Sequence, residues 1–421
     1  MSPTPSSPVP DVADLTQDQR IGQMLMVGFR GTVIPGAETG AEKSSSATDA
    51  AAPTQANAPS APSEHPGFTD DADPGRRPGS THQAASADST NPVRVILRDI
   101  REYHLGGVIL FDYDVQSGTT GRNIRSPRQL SELTAGLSAE AAIPLFIAID
   151  QEGGTVNRLR PEYGFPETLS HRELGTQNDP SLTRSHAAEI AEVLRQHGCN
   201  LNFAPCVDLA LNKENKAIYG RNRCFSDDPE IVARHAEAYV RGHREAGVGA
   251  VLKHFPGHGS SRDDTHLGLT DVTDTWQAAE LIPYRRLLQN GQCDMVMTTH
   301  VFHRGLDPDH PATLSPAILQ GMLRDELGFD GVIVSDDLQM KAISDHYGEE
   351  EVIRRALQAG VDILLFGNNM VYDEQVAARF FGVVREMLDR GHISEAQIDR
   401  SAARILRLKR QLTETRVADM V

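Results

Sequence analysis

A single-domain α/β fold, a (β/α)8 TIM-type barrel with a low-complexity insertion after its first strand, is what this sequence predicts, and three observations carry it. Eight short apolar runs recur along the chain, each ending in glycine or polar residues. Segments with helical spacing and composition lie between them and continue after the last. No GxGxxG string follows the first run, so the fingerprint of an open dinucleotide-binding sheet is missing. Near-continuous apolar strands belong to a parallel sheet covered on both faces, and a count of eight favours closure over an open, doubly wound sheet.

The strands are read at Met24 to Phe29, Gly107 to Phe111, Leu145 to Ile149, Leu201 to Ala204, Ala250 to Leu252, Met295 to Thr298, Gly331 to Val334 and Ile363 to Phe366. Helical segments are read at Pro92 to Tyr103, Pro127 to Ala142, Leu182 to His197, Pro229 to Ala246, Ala278 to Asn290, Pro316 to Glu326, Glu349 to Ala359, Tyr372 to Arg390 and Ser394 to Leu412. The first strand therefore falls within residues 1–34, and the rest of the barrel occupies 91–421. Between them, over 35–90, Phe68 is the only large apolar side chain in a background of Ala, Ser, Pro, Thr, Gly and Asp. Such a segment cannot bury enough surface to balance its ordering entropy, so disorder is expected. It leaves the first strand on the face where barrel chemistry sits, and its composition favours a tethered spacer over a lid.

The chain has 421 residues, enough for one domain of barrel size. Lys plus Arg total 41 against 58 for Asp plus Glu, a net charge of -17 that would repel a phosphate backbone, so no nucleic-acid partner is expected. The four cysteines, Cys199, Cys206, Cys224 and Cys293, are too scattered for a disulfide framework and form no CxxC pair. The N-terminus has neither the basic start nor the apolar core of a secretory signal, and no apolar run is long enough to span a bilayer. A cytoplasmic monomer without membrane contact is the expectation.

Barrel chemistry belongs at the C-terminal ends of the strands, and the unusual residues fall there. Asp150 follows the third strand, Lys253 and His254 the fifth, His300 the sixth, and Asp336 with Asp337 the seventh. The segment from Leu252 to His266 packs three histidines, a lysine and acidic residues into a Gly/Pro loop. His254, His258 and His266 raise the idea of a metal site, against which stands the lack of helical HxxxH spacing. For His258 a loop histidine tied to backbone carbonyls is preferred. Asp264 lies two residues from His266, a spacing at which a carboxylate can hold an imidazole tautomer and make a usable acid/base. Asp336, first off its strand, is the nucleophile candidate, while Asp337 is suited to capping. Asp150 and Glu152 enter a glycine turn as an acidic pair suited to gripping hydroxyl groups, with metal binding as the competing reading.

These residues stand in strings that resemble glycoside hydrolase family 3, and specifically its single-domain bacterial β-N-acetylglucosaminidases of peptidoglycan recycling. The resemblance rests on Asp150-Gln-Glu-Gly-Gly with Arg158, on Asn202-Phe-Ala-Pro-Cys-Val-Asp208, on Lys253-His-Phe-Pro-Gly-His-Gly259, on Asp264-Thr-His266, and on Ser335-Asp-Asp-Leu338. Gly106-Gly-Val-Ile-Leu-Phe111 and Pro311-Ala-Thr-Leu-Ser-Pro316 add to it, and it covers nearly all of the chain outside 35–90. It implies Asp336 as nucleophile, His266 as general acid/base and Asp264 as its partner. It implies that Asp150, Arg158, Arg223, Lys253 and His254 bind a terminal N-acetylglucosamine, and that no metal or organic cofactor takes part. The implied substrates are small muropeptide fragments. An aromatic content of 5% with Trp276 as the only tryptophan agrees, since a polymer would need a longer stacking platform. Thr155, Asn157 and Cys224 depart from the family pattern, which usually has Arg, Gln and Ser there. Phosphorolysis stays open because an imidazole acid/base does not repel an anionic acceptor. A metal-dependent barrel hydrolase and a non-catalytic carbohydrate-binding barrel are the readings from other classes.

Overall fold

The computed structural model describes residues 8–35, 92–262, 264, 265, 268 and 270–418. Beyond Pro35 the insertion expected at 35–90 lies outside the described residues, and the spacer and lid readings lie there with it. Eight parallel strands form the sheet: β1 (Leu25–Gly28), β2 (Gly107–Leu110), β3 (Phe146–Ile149), β4 (Leu201–Asn202), β5 (Gly249–Phe255), β6 (Met295–Thr298), β7 (Val332–Val334) and β8 (Leu364–Phe366). Their spatial order is β7-β6-β5-β4-β3-β2-β1-β8, every neighbouring pair parallel. A parallel bridge from Val334 to Ile363 joins the two ends of that order, supported by Ser335 N donating to Ile363 O at 3.0 Å and Leu365 N to Ser335 Oγ at 2.9 Å. The sheet is thus a barrel with no long free edge.

Every strand residue is buried, because helices cover the outside and side chains fill the inside. Helix starts are written into the sequence. Ser126, Asp179 and Asp228 each accept a backbone N–H from the first turn, and a proline follows each one at the first helical position. Helices Pro180–Gln196 and Pro229–Glu245 approach closely at Gly242, where an added Cβ would stand 2.5 Å from Arg184 O. The final helix, Glu395–Ala418, packs against the helix Gln17–Gln23 and β7. Its Lys409 Nζ donates to Gln23 Oε1 at 2.6 Å and to Gly106 O at 2.8 Å above the Phe146 ring. Burial among these neutral groups lowers the Lys409 ammonium to about 7.

All eight predicted strands are present, and only two of them depart from the expected bounds by more than one residue at an end. Strand β5 is seven residues long, since it continues through Lys253 and His254 to Phe255. Polar side chains were expected to end it, but at the mouth they find partners and the ladder carries on. Strand β4 stops at Asn202, whose side chain leaves the ladder to bond both Gln151 N and Gln151 O. The sequence pattern missed the helices Gln17–Gln23 and His171–Gln177, each opened by a capping box, Thr16 with Gln19 and Ser170 with Glu173. Among the described residues no helix is long and apolar enough to cross a membrane.

Candidate active site

The mouth of the barrel is built around a buried charge network. Lys253 Nζ, at the end of β5, lies 2.7 Å from Asp150 Oδ1 just past β3 and 2.7 Å from Glu152 Oε1. Arg223 clasps the same Glu152, with Nη2 at 2.7 Å from Oε1 and Nε at 3.0 Å from Oε2. Arg158 reaches towards Asp150 Oδ2 at 3.9 Å and Asp112 Oδ1 at 3.5 Å, and Arg160 Nε sits 2.6 Å from Asp112 Oδ2. Buried charges persist only when paired, and pairing dominates here. Burial alone would raise the Glu152 carboxyl, but Arg223 and Lys253 outweigh it and hold it well below the usual range. Burial would lower Lys253, but Asp150 and Glu152 raise it.

Exposure divides these side chains into two kinds. The Lys253 and Glu152 side chains are each 2% exposed, whereas Asp150 is 18% and Arg158 26% exposed. Glu152 is therefore consumed inside the protein and does not form the hydroxyl-gripping pair with Asp150 that the glycine turn suggested. The turn itself is braced by Gln151, whose Oε1 accepts from Arg158 N at 2.9 Å and Leu159 N at 3.0 Å, and whose Nε2 donates to Asn157 Oδ1 at 2.7 Å. Arg223 is braced from behind by His171, whose Nδ1 donates to Arg223 O at 2.9 Å; burial lowers that imidazole to about 4, so it stays neutral.

His254 lies between Arg223 and Asp208. Its Nε2 is 3.1 Å from Arg223 Nη2 and its Nδ1 is 2.6 Å from Asp208 Oδ2. A guanidinium only donates, so Nε2 accepts and Nδ1 carries the proton that Asp208 receives. Asp208 Oδ1 also takes the backbone N–H of His254 at 3.3 Å and of His258 at 2.8 Å, and Oδ2 receives the Cys206 thiol at 3.2 Å. Burial would raise Asp208, but His254 and His258 overcome it and keep it ionised. Burial pushes the Cys206 thiol up, so it remains a donor. His258 is held by Ser261 Oγ at 2.7 Å and Thr265 Oγ1 at 3.4 Å, hydroxyls where backbone carbonyls were expected. Trp276 Nε1 donates to Pro256 O at 3.2 Å and braces the same loop.

After β7, Asp336 Oδ1 accepts from Asp337 N at 2.8 Å. Asp337 turns away to receive Gln339 N at 3.0 Å and Gly367 N at 2.9 Å; it ties two loops together instead of capping the next helix, Lys341–Ser344, which starts after Met340 without a side-chain cap. His300, from the end of β6, donates Nε2 to Asp337 O at 2.9 Å, and its Nδ1 meets Thr313 Oγ1 at 2.8 Å, so it stiffens the turn that presents Asp336. Thr265 O accepts from Ala342 N at 3.2 Å, which fastens the Asp264–Thr265 segment to the chain a few residues past Asp336. His266 lies outside the described residues.

Sequence reasoning missed two participants and left a third without a role. Asp112 stands just beyond β2 as Asp150 does beyond β3, so the strand-end rule could have found it. Asp208 was in view as the end of a motif, without a role. Glu280 had no local signal at all. Its carboxylate lies under the His-rich loop, where Oε2 accepts from Gly259 N at 2.9 Å and an added Cβ at Gly257, φ 131°, would stand 2.6 Å from that oxygen. Burial raises Glu280 from 4.5 to about 7. Between those two values the folded chain holds a proton that the unfolded chain has lost, so stability falls as the pH rises through this window. Glu280→Gln is expected to remove that slope and to stabilise the chain by up to roughly 3 kcal/mol above neutrality. Urea midpoints of both proteins across the window check this, and a difference independent of pH counts against it.

Comparison with known proteins places the chain. The model of the Glycosyl hydrolase family 3 N terminal domain matches residues 16–408. The chain belongs to glycosyl hydrolase family 3. As a member it is a glycoside hydrolase, and its relatives include a beta-hexosaminidase of Stenotrophomonas maltophilia, 38% identical over 281 residues, a match covering 65% of this chain and 79% of that one. Among solved structures, a family 3 beta-N-acetylglucosaminidase from Paenibacillus superposes with a TM-score of 0.73 at 34% identity, covering 94% of this chain and 63% of that one. A beta-N-acetylhexosaminidase from Beutenbergia cavernae gives 0.69 at 28% identity, covering 94% and 99%.

Proposed function

We propose that this family 3 hydrolase is a retaining exo-β-N-acetylglucosaminidase that releases terminal N-acetylglucosamine from small cell-wall fragments through a covalent glycosyl–Asp336 intermediate. The observation that carries the reading is the Thr265–Ala342 backbone hydrogen bond, which ties the segment bearing Asp264 to the segment following Asp336. In this mechanism Asp336 attacks the anomeric carbon while His266 protonates the departing oxygen. His266 then takes a proton from the water that attacks the glycosyl ester, which returns Asp336 as a carboxylate and leaves the β configuration retained. Asp264 orients the imidazole and keeps it protonated for the first step.

Asp150 and Arg158, the more exposed members of the network, grip sugar hydroxyls. Lys253, Arg223 and His254 complete the subsite, with Glu152 and Asp208 fixing them from behind. The names of the relatives, beta-hexosaminidase and beta-N-acetylglucosaminidase, support an N-acetylated sugar. The low aromatic content supports a small substrate.

The test is hydrolysis of an aryl N-acetyl-β-glucosaminide against the matching glucoside, with and without phosphate. Preference for the acetylated sugar and a free sugar product are expected; a glycosyl phosphate would make the chain a phosphorylase. Asp264→Ala is expected to lower turnover by about 10²- to 10⁴-fold while circular dichroism stays unchanged. An unaltered rate would remove Asp264 from the dyad.

A further inference from the structure

We propose that Cys206, Asp208 and His254 form a binding site for one thiophilic divalent cation of the zinc or cadmium class, whose occupancy switches the active site off. The Cys206 Sγ, an Asp208 carboxylate oxygen and a His254 ring nitrogen lie within 4.8 Å of one another, and all three residues are buried. Two protons converge on one acceptor there, from Sγ at 3.2 Å and from Nδ1 at 2.6 Å, both to Asp208 Oδ2. A dication replaces them. The Cys206 S–H bond breaks, its proton leaves to solvent and a metal–thiolate bond forms. The His254 ring proton moves from Nδ1 to Nε2, so Nδ1 can coordinate, while the Asp208 carboxylate coordinates without a proton change.

Thiolate, imidazole and carboxylate together select zinc-like ions over magnesium or calcium, and three protein ligands leave one position open. Metal–ligand bonds of about 2.0 to 2.3 Å set tetrahedral ligand atoms roughly 3.5 Å apart, so the Asp208 Oδ2 contacts of 2.6 and 3.2 Å must lengthen to admit the ion. Its scaffold is already in register: Cys206 pairs with Lys253 in a parallel bridge, and Val207 N donates to Lys253 O at 2.8 Å.

Inhibition follows from the tautomer. His254 Nε2 now accepts from Arg223 Nη2 at 3.1 Å; once Nε2 carries the proton, donor faces donor, and the Arg223–His254 contact is lost. Metal capture stands apart from the proposed function, whereas its effect on turnover rests on that reading, so the two are measured separately. Cadmium and cobalt titrations of the full chain, kept reduced with a non-chelating reductant, are expected to give a thiolate-to-metal absorption band that saturates at one equivalent. Cys224→Ser keeps the band and Cys206→Val loses it. Zinc is expected to inhibit aryl N-acetylglucosaminide hydrolysis at least about tenfold more weakly in Cys206→Val, each protein's rate being taken relative to its own metal-free rate. Magnesium does neither. A band absent from the parent, or persisting in Cys206→Val, overturns the site; a saturated parent with full activity overturns the switch. A chain that binds cadmium through Cys206 yet cleaves no glycoside leaves the site standing and sinks the functional reading alone.

Discussion

Asp336→Asn is expected to lower kcat on an aryl N-acetyl-β-glucosaminide by about 10⁴-fold or more, the scale on which loss of the proposed nucleophile would act. The amide is nearly isosteric with the carboxylate, and its oxygen can still accept from Asp337 N as Asp336 Oδ1 does at 2.8 Å. Folding is therefore spared and the loss is chemical. Asp336→Ala opens space on the attacking face, and added azide is expected to attack from there and give the α-glycosyl azide. A parent-like rate in Asp336→Asn would place the nucleophile elsewhere and end the covalent mechanism. Product anomer ratios followed by NMR during parent turnover check retention independently.

Lys253→Met is the second large effect, and it strikes fold and function together. The ammonium is the shared partner of Asp150 and Glu152, each at 2.7 Å, inside a side-chain environment only 2% exposed. Without it Glu152 keeps Arg223, but among the described residues Asp150 keeps only Arg158 at 3.9 Å. Breaking a buried pair while leaving its anion in place costs about 3 to 5 kcal/mol. Urea unfolding is expected to register that loss, and kcat/KM is expected to fall because Asp150 loses the group that positions it. A double-mutant cycle with Glu152→Gln separates the pair from the rest of the network, and a coupling near zero would contradict the shared-partner geometry. Neither Lys253→Arg nor a salt change should reproduce the full effect, since the loss arises from desolvation more than from long-range charge.

Periodicity and strand-end chemistry were legible in the chain because they are local. An apolar run such as Val332–Val334 needs no partner to declare itself a buried strand, and a carboxylate directly after it must arrive at the strand's C-terminal end. Asp150, Lys253, His254 and Asp336 were found by that rule. Pairing was hidden for the opposite reason. Glu152 looked like a sugar-gripping partner of Asp150 because only the folded barrel brings Arg223, from a loop, and Lys253, from β5, to it. Glu280 lies outside every motif and matters only where Gly259 comes to rest on it.

By itself, the order of apolar and polar residues determined the eight-stranded barrel, the face that carries chemistry and the family to which the chain belongs. Tertiary structure alone decided which charges are spent on each other and which remain for a ligand. The cost of an unpaired buried charge depends on neighbours hundreds of positions apart in some cases, and no local pattern encodes them. Asp150 and Glu152 stand two residues apart in the chain, yet one is partly open to solvent and the other is enclosed.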